Sequence, residues 1–212
     1  NLKKGDFLTN DNVFFAFPPE DAQYTANEWS KYFHYQAKED ISINSAISSN
    51  NSIQTDSREQ VWGIVNNARK LLKESNVVIP GSAELELSHH YGLDKFYEFG
   101  LLLLTVINRD YCKKLLVSFP GQKHPEQYHK QKEETFHVLY GSIELELDGQ
   151  FQTCVPGDVI TIEPGTRHAF ISPKGAVIEE ISSTHFIDDS YYTDNKITAN
   201  KHRKTLLTHW MN

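Results

Sequence analysis

The second half of the chain is a succession of short apolar runs, most of them ended by glycine, proline or Asp-Gly. Runs of this length suit β-strands, because a helix usually needs about ten or more residues of apolar periodicity. Asp148-Gly149, which follows an alternating apolar and acidic stretch, predicts a tight hairpin. Many short strands at this spacing predict a sandwich or a barrel. The runs cover residues 101–107, 115–119, 135–140, 142–147, 151–155, 159–162, 169–172 and 176–181.

Two further regions precede these strands. Residues 1–53 contain two short strand-like units that are too small to bury a core by themselves. Residues 54–79 begin with polar, turn-forming residues and continue as a predicted amphipathic helix. Ser57 and Gln60 match a capping box, and apolar residues then recur at helical spacing from Val61 onward.

The β-rich domain is expected to span residues 80–188. Its first part, residues 88–100, is predicted to form one more helix. Residues 189–212 are polar and are expected to form a C-terminal tail that acts as a docking arm. Because the chain begins at Asn1 and not at methionine, we expect it to be a piece of a longer protein.

The composition excludes several classes of partner. A net charge of −7 leaves no basic excess for nucleic acid or anionic lipid, so neither is expected. The longest apolar run, residues 101–107, is too short to cross a bilayer, and no signal-peptide pattern opens the chain. Cys112 and Cys154 lie outside any metal-binding spacing and are expected to be free thiols. These features predict a cytoplasmic protein without a membrane partner.

Four possible metal ligands converge in the predicted barrel. Alternate residues of a strand face the same side, so Gln127 and His129 point inward together. Glu134 returns to the same pocket after a short turn, and His168 comes from a later strand when the barrel closes. Two imidazoles, a carboxylate and an amide suit a divalent ion such as Mn, Fe, Co, Ni or Zn. We therefore predict a metal site at this point of the barrel.

Three charged residues are candidates for binding a substrate. Lys123 and Lys132 lie near the predicted mouth of the pocket, where they would steer an anionic sugar or a phosphate; the alternative is a solvated loop. Glu180 either reaches the pocket from the last strand or lies on the outside of the barrel, and the sequence leaves both placements open. His137 alternates with Phe136 and Val138, so it is predicted to face away from the pocket.

The spacing of these residues resembles the two motifs of the cupin family. Gly121-x5-Gln127-x-His129-x4-Glu134-x6-Gly141 looks like the first motif, with glutamine in place of its first histidine. Gly157-x7-Gly165-x2-His168-x3-Ser172 looks like the second. The resemblance implies a mainly β fold, the double-stranded β-helix or jelly-roll barrel, with a metal pocket inside. His124 is a possible substitute for the missing histidine, although its position in the alternation does not place it in the pocket.

A narrower resemblance concerns the bacterial N-acetylneuraminate (sialic acid) synthases. Residues 88–100, 132–141 and 179–186 are similar to the cupin appended to some of these enzymes, and residues 2–13 and 37–41 resemble their small antifreeze-like (SAF, β-clip) domain. The resemblance implies the C-terminal part of a transferase, in which an upstream (β/α)8 barrel condenses phosphoenolpyruvate with N-acetylmannosamine. It also implies a homodimer and a role in carbohydrate biosynthesis.

Several functions remain open for the predicted cupin. The resemblance implies a metal-dependent module that binds a small sugar or sugar phosphate, or isomerises a sugar as lyxose isomerase does. In the isomerase, Glu134 or another pocket carboxylate would be the catalytic residue that moves the proton. The alternatives are a non-catalytic sugar-binding or regulatory module, which the substitution of histidine by Gln127 favours, and a purely structural dimerisation element.

Overall fold

Antiparallel backbone ladders join most of the predicted apolar runs in the computed structural model, which describes residues 1–186 and 188–210. The chain divides into two units, Asn1–Gly63 and Ile64–Asn212. The boundary falls within the first long helix. None of the helices in the described residues is long and apolar enough to cross a membrane.

The first unit is built on a small antiparallel sheet. Its strands are β1 (Phe7–Leu8), β2 (Phe33–Ala37) and β3 (Ser52–Asp56), in the order β1-β2-β3, and a short 3-10 turn covers Ala26–Glu28. Tyr35 on β2 is almost fully buried, and its ring stacks on Trp29 with the centroids 5.0 Å apart. The small cluster around it gives this unit a core of its own.

The predicted helix is present as α1 (Arg58–Ser75). Its apolar positions are buried, as the helical spacing predicts: Val61, Ile64, Val65, Ala68, Leu71 and Leu72. Ser57 precedes the helix, and its carbonyl accepts a hydrogen bond from the Val61 amide at 2.9 Å. The Ser57 hydroxyl donates to the Tyr32 carbonyl at 3.0 Å, so it ties the helix start to the first unit's chain.

The second unit consists of two antiparallel sheets. A seven-stranded sheet has the order β11-β8-β13-β6-β5-β4-β15, and a five-stranded sheet has the order β10-β9-β12-β7-β14. Apolar residues of both sheets form one core, which includes Val138, Ile178 and Phe170. This is the jelly-roll arrangement that the cupin resemblance implied. Its elements are β4 (Glu84–His89), α2 (Phe96–Phe99), β5 (Gly100–Asn108), β6 (Tyr111–Ser118), β7 (Gln122–Tyr128), β8 (Glu134–Gly141), β9 (Ile143–Leu147), β10 (Gln150–Cys154), β11 (Val159–Ile162), β12 (His168–Ser172), β13 (Ala176–Ser183), β14 (Tyr191–Tyr192), α3 (Asn195–Ala199) and β15 (Lys204–Leu207).

The predicted helix over residues 88–100 is largely wrong. Its first residues end strand β4, in which buried Leu85 and Leu87 alternate with more exposed glutamates. Gly92 then adopts a φ of +104°, which a continuous helix cannot contain. Only a 3-10 turn at Leu93–Lys95 and the short α2 are helical.

The polar tail forms regular structure that the sequence did not predict. Strand β14 pairs with β7 at the edge of the five-stranded sheet, and β15 pairs with β4 at the edge of the seven-stranded sheet. The Trp210 indole donates to the Ala83 carbonyl at 2.9 Å and is buried. The tail therefore completes both sheets of its own unit.

Two conditions require glycine at position 141, the last residue of β8. Gly141 has a φ of +75°, and a Cβ atom there would lie 1.9 Å from the carbonyl oxygen of Gly175. Gly149, in the β9–β10 hairpin, has a similar φ of +83° but open space around the position of its Cβ.

This difference yields a stability test. Gly149→Ala should lower the free energy of unfolding by about 1–2 kcal/mol through backbone strain alone. Gly141→Ala should cost about 1–3 kcal/mol more, because the backbone of residue 175 must also move. Urea unfolding of both variants would measure the difference. Equal losses of stability in the two variants would contradict the close packing of Gly141 against Gly175.

Candidate metal centre

A cavity of about 300 Å³ lies in the second unit, between its two sheets. Its wall includes side chains from β7, β8, β12 and β13, so it forms only when the two sheets close on each other. His129 and Glu134 line it, and His168 contacts Glu134; each of the three is at most 3% exposed. A volume of this size matches the lower end of small-molecule sites.

Three of the four predicted ligands meet at one point. The Nε2 atom of His129 lies 3.3 Å from Oε1 of Glu134, and Nε2 of His168 lies 3.4 Å from Oε2. One ligand atom from each side chain can be chosen so that all lie within 4.8 Å of one another. Two imidazole nitrogens and a carboxylate around one point form a donor set for a divalent ion.

Backbone carbonyls orient both imidazoles towards this point. The Nδ1 atom of His129 lies 2.5 Å from the Asp189 carbonyl, and Nδ1 of His168 lies 3.2 Å from the Thr166 carbonyl. Because a carbonyl only accepts, each Nδ1 carries the proton and each Nε2 keeps its lone pair. Carbonyl contacts of this kind fix the tautomer of metal-ligating histidines.

The donor set fits a cation because its lone pairs face one another. Within the described part of the chain, Nε2 of His129 and Oε2 of Glu134 are buried and make no well-aligned hydrogen bond. Burial also lowers the pKa of His168, which favours the neutral imidazole that can bind a metal. A divalent ion would satisfy the acceptors that the protein leaves unpaired.

Gln127 lies beside this group because of an irregularity in β7. The ladder pairs His168 with Gln127 and Phe170 with His124. Between these two pairs β7 advances by three residues and β12 by two, which is a β-bulge in β7. The bulge turns both His124 and Gln127 inward, although they are an odd number of residues apart. The amide nitrogen of Gln127 lies 3.3 Å from Nε2 of His168. His124 stacks on Phe170 with ring centroids 5.0 Å apart. Simple alternation did not predict its inward direction, because the bulge interrupts the alternation.

A buried lysine joins the two acidic side chains of the pocket. Lys132 forms an ion pair with Glu134, and its Nζ atom also lies 3.1 Å from Oε1 of Glu180. Burial acts to raise the pKa of Glu134, but the Lys132 cation outweighs it and holds that pKa well below its ordinary range. Burial likewise acts to lower the pKa of Lys132, and the two carboxylates raise it above its ordinary value. Glu134 and Lys132 are therefore both charged at neutral pH.

The other predicted residues divide between the inside and the outside of the barrel. Glu180 faces the cavity, which decides between the two placements that the sequence left open. Lys123 is exposed and does not line the cavity, so the structure does not bring it to the candidate site. It follows the buried Gln122, and strand alternation turns it outward. His137 also faces outward, where its Nδ1 atom lies 3.4 Å from Glu179.

Asp189 shapes the loop that carries the site, and no sequence pattern indicated this role. Its carboxylate accepts hydrogen bonds from the amides of Lys130, Gln131 and Lys132 at 3.0–3.1 Å. Its carbonyl holds His129 at the same time. One buried residue of the tail therefore fixes the turn between β7 and β8.

Fold and site together define a cupin, a small antiparallel barrel with metal-ligating side chains inside it. Residues 116–179 match the family described as Cupin domain. The L-ribose isomerase of Cellulomonas parahominis, solved with L-ribose, has the same fold, with a TM-score of 0.57 at 14% identity, covering 67% of this chain and 94% of that one.

Relatives similar in sequence indicate a narrower family within the cupins. The chain is 32% identical to a D-lyxose/D-mannose isomerase of Thermosediminibacter oceani, over 66% of this chain and 94% of the relative. It is 31% identical to a D-lyxose ketol-isomerase of Cohnella laeviribosi, over 61% of this chain and 87% of that protein. The chain belongs to the D-lyxose isomerase family.

These relationships correct the functional interpretation of the sequence. The assignment to the C-terminal part of an N-acetylneuraminate synthase was wrong, because relatives matched over almost their full lengths are sugar isomerases and not transferases. None of these relationships supports the SAF assignment of residues 1–53. The cupin part of the interpretation is confirmed. The predicted homodimer stays a prediction.

The role of Asp189 yields a prediction. Asp189→Ala should weaken the binding of Mn²⁺ about 10–100-fold, because the loop that presents His129 loses three backbone hydrogen bonds. Titration calorimetry of metal-free protein would measure the affinity. The matched control is Asp188→Ala, since Asp188 is exposed and should leave the affinity unchanged. Equal affinities in the two variants would contradict the positioning role of Asp189.

Proposed function

We propose that this protein is a metal-dependent isomerase that interconverts an aldose and the corresponding ketose. Two independent observations support the proposal. The chain belongs to a family whose named relatives are D-lyxose isomerases. Its cavity also contains two oriented imidazoles and a carboxylate, with a second carboxylate and an ammonium group beside them. The single observation that carries most weight is this convergence of groups in a closed pocket.

His129, Glu134 and His168 would hold the metal, with Gln127 beside them as a weaker fourth ligand. When bound, a divalent ion polarises a sugar carbonyl and stabilises negative charge on the neighbouring oxygens. The metal can be Mn, Fe, Co, Ni or Zn on the chemistry of these ligands. Placing Glu134 among the ligands makes it a less suitable proton carrier than the sequence predicted.

Glu180 is the better candidate for moving the proton. Isomerisation requires that a base remove a proton from C2 of the open-chain aldose and that the proton return to C1 of the resulting enediol. Glu180 is buried, lies outside the ligand group and faces the cavity. Lys132 and the Ser182 hydroxyl, the latter at 3.4 Å, hold its Oε1 atom in place. Carboxylates positioned in this way serve as general acid–base catalysts.

Lys132 has a second task in this scheme. As an ammonium group between two carboxylates it compensates their negative charge and holds Glu180 at the cavity, where that carboxylate would accept a proton. It also offers a hydrogen-bond donor to the sugar oxygens on which negative charge develops. The lysine therefore supports the reaction through charge and not as a nucleophile.

Activity provides the test. Purified protein supplied with Mn²⁺ should convert D-lyxose or D-mannose to the ketose, measured by ketose formation. Glu180→Gln should lower kcat by about 10²–10⁴-fold, because the amide cannot carry the proton. Glu179→Gln is the matched control: Glu179 is the preceding residue on β13 and faces outward, with Lys113 at 2.6 Å.

Two outcomes would contradict the proposal. The first is the absence of ketose from aldopentoses, aldohexoses and their derivatives with a terminal phosphate or carboxylate, with all five metals. The second is equal activity of the Glu180 and Glu179 variants, which would remove Glu180 from the proton transfer while leaving the isomerase assignment in place.

Substitution of Gln127 tests the metal site separately. Gln127→His should tighten the binding of Mn²⁺, because an imidazole is a stronger donor than a neutral amide at the position beside His168. Titration calorimetry would show the change. An unchanged affinity would mean that residue 127 is not a ligand.

Gln127 also favours a second candidate, a non-catalytic sugar-binding module. A weakened metal site would still leave a shaped pocket with polar walls. Binding of D-lyxose without turnover, in wild-type protein and in the Gln127→His variant alike, would support this alternative.

A further inference from the structure

One polar row runs from the candidate site across the inner face of the seven-stranded sheet. The ladder places Glu180 opposite Lys114, Lys114 opposite Thr105, and Thr105 opposite Glu84. All four residues line the cavity. A ligand that lies along this row would have one end at Glu180 and the other beyond Lys114.

Lys114 differs from the other lysines of the cavity because it has no partner. It is only 4% exposed, yet in the described part of the chain it forms no hydrogen bond and no ion pair. Its neighbour Lys113 faces outward and pairs with Glu179. A buried ammonium group is unfavourable unless an anion or several acceptors compensate it.

The carboxylates of the cavity wall form no ion pair with Lys114 in the described part of the chain. Glu134 and Glu180 are both engaged by Lys132, and Glu86 pairs with Lys204 at 3.0 Å. Among the described lining residues, Lys114 and Arg203 then remain without an ion pair, and the guanidinium of Arg203 lies over the Tyr192 ring. The remaining lining carboxylate, Glu84, is exposed.

His185 lies near the positive charge of Lys114. Its Nδ1 atom is buried without a hydrogen-bond partner among the described residues, and it lines the cavity. Burial first, and then the charges of Lys114 and other lysines, lower the pKa of His185 to about 3. The imidazole is therefore neutral and adds no charge of its own.

We infer that Lys114 forms a subsite for an anionic group at the end of the substrate remote from the metal ligands. The natural substrate is then a sugar with a terminal phosphate or carboxylate. This inference rests on the proposed isomerase function, because it assigns the class of sugar that the same cavity takes. The geometry of the row places the anion beyond Glu180, away from the carbons that exchange the proton.

Three polyols test the subsite without any turnover. D-mannitol, D-mannonate and D-mannitol 1-phosphate share their stereochemistry and differ at one terminus, and none has an aldehyde or ketone to isomerise. Titration calorimetry of the metal-loaded protein should give a Kd for an anionic polyol about tenfold lower than that for mannitol. A gain with phosphate alone identifies a phosphate ester, and a gain with mannonate alone identifies a sugar acid.

Adjacent lysines supply the variant and its control. Lys114→Met should abolish the preference for the anionic polyol, whereas Lys113→Met should keep it, because Lys113 lies on the outer face of the same strand. Lys114→Gln is a second variant of similar length, and circular dichroism checks that each variant is folded.

Two results would overturn the inference: equal affinities of wild-type protein for all three polyols, or a preference for the anion that persists in both Lys114 variants. The latter would place the anion on the metal or on Lys132. Failure of the isomerase assay would overturn the proposed function alone, since binding of these polyols does not require turnover.

Discussion

The buried ion cluster of Lys132, Glu134 and Glu180 is the interaction on which the candidate site depends. Two carboxylates in a closed cavity would repel each other and would lose most of their hydration. The single ammonium group offsets both effects, and the directions of the pKa shifts of Glu134 and Lys132 express this compensation. Without the lysine, one of the two carboxylates would have to take up a proton. The site would then lose either a metal ligand or a base.

This cluster needs a particular backbone to hold it. Lys132 lies in the turn between the two sheets, Glu134 begins β8, and Glu180 comes from β13. Asp189 fixes the turn through three amide hydrogen bonds, although it is remote in sequence. The charges are therefore brought together by the closure of the barrel and by the C-terminal tail.

Local patterns predicted the strands and the ligand group, and long-range pairing explains what they missed. Period two and the Asp-Gly turn are properties of neighbouring residues, so the runs from residue 101 to 181 and the inward direction of His129 could be predicted. The inward direction of His124 depends on a bulge that only the pairing with β12 reveals. The strands of the tail are only two and four residues long, and they pair with the open edges of the two sheets. The polar row through Lys114 likewise appears only when the register of four strands is known.

The functional interpretation failed for a related reason. Cupins share a barrel and a ligand spacing, so short segments that resemble one member identify the fold more securely than the reaction. The synthase assignment rested on such segments, whereas the isomerase relatives align over most of their lengths. The wall of the cavity beyond the metal ligands therefore has to identify the substrate. In this chain Lys114 lies on that wall, buried and without an ion pair among the described residues, opposite Glu180 on the neighbouring strand. A sugar whose anionic end is bound by Lys114 would bind in one direction only, with its reactive carbons at Glu180.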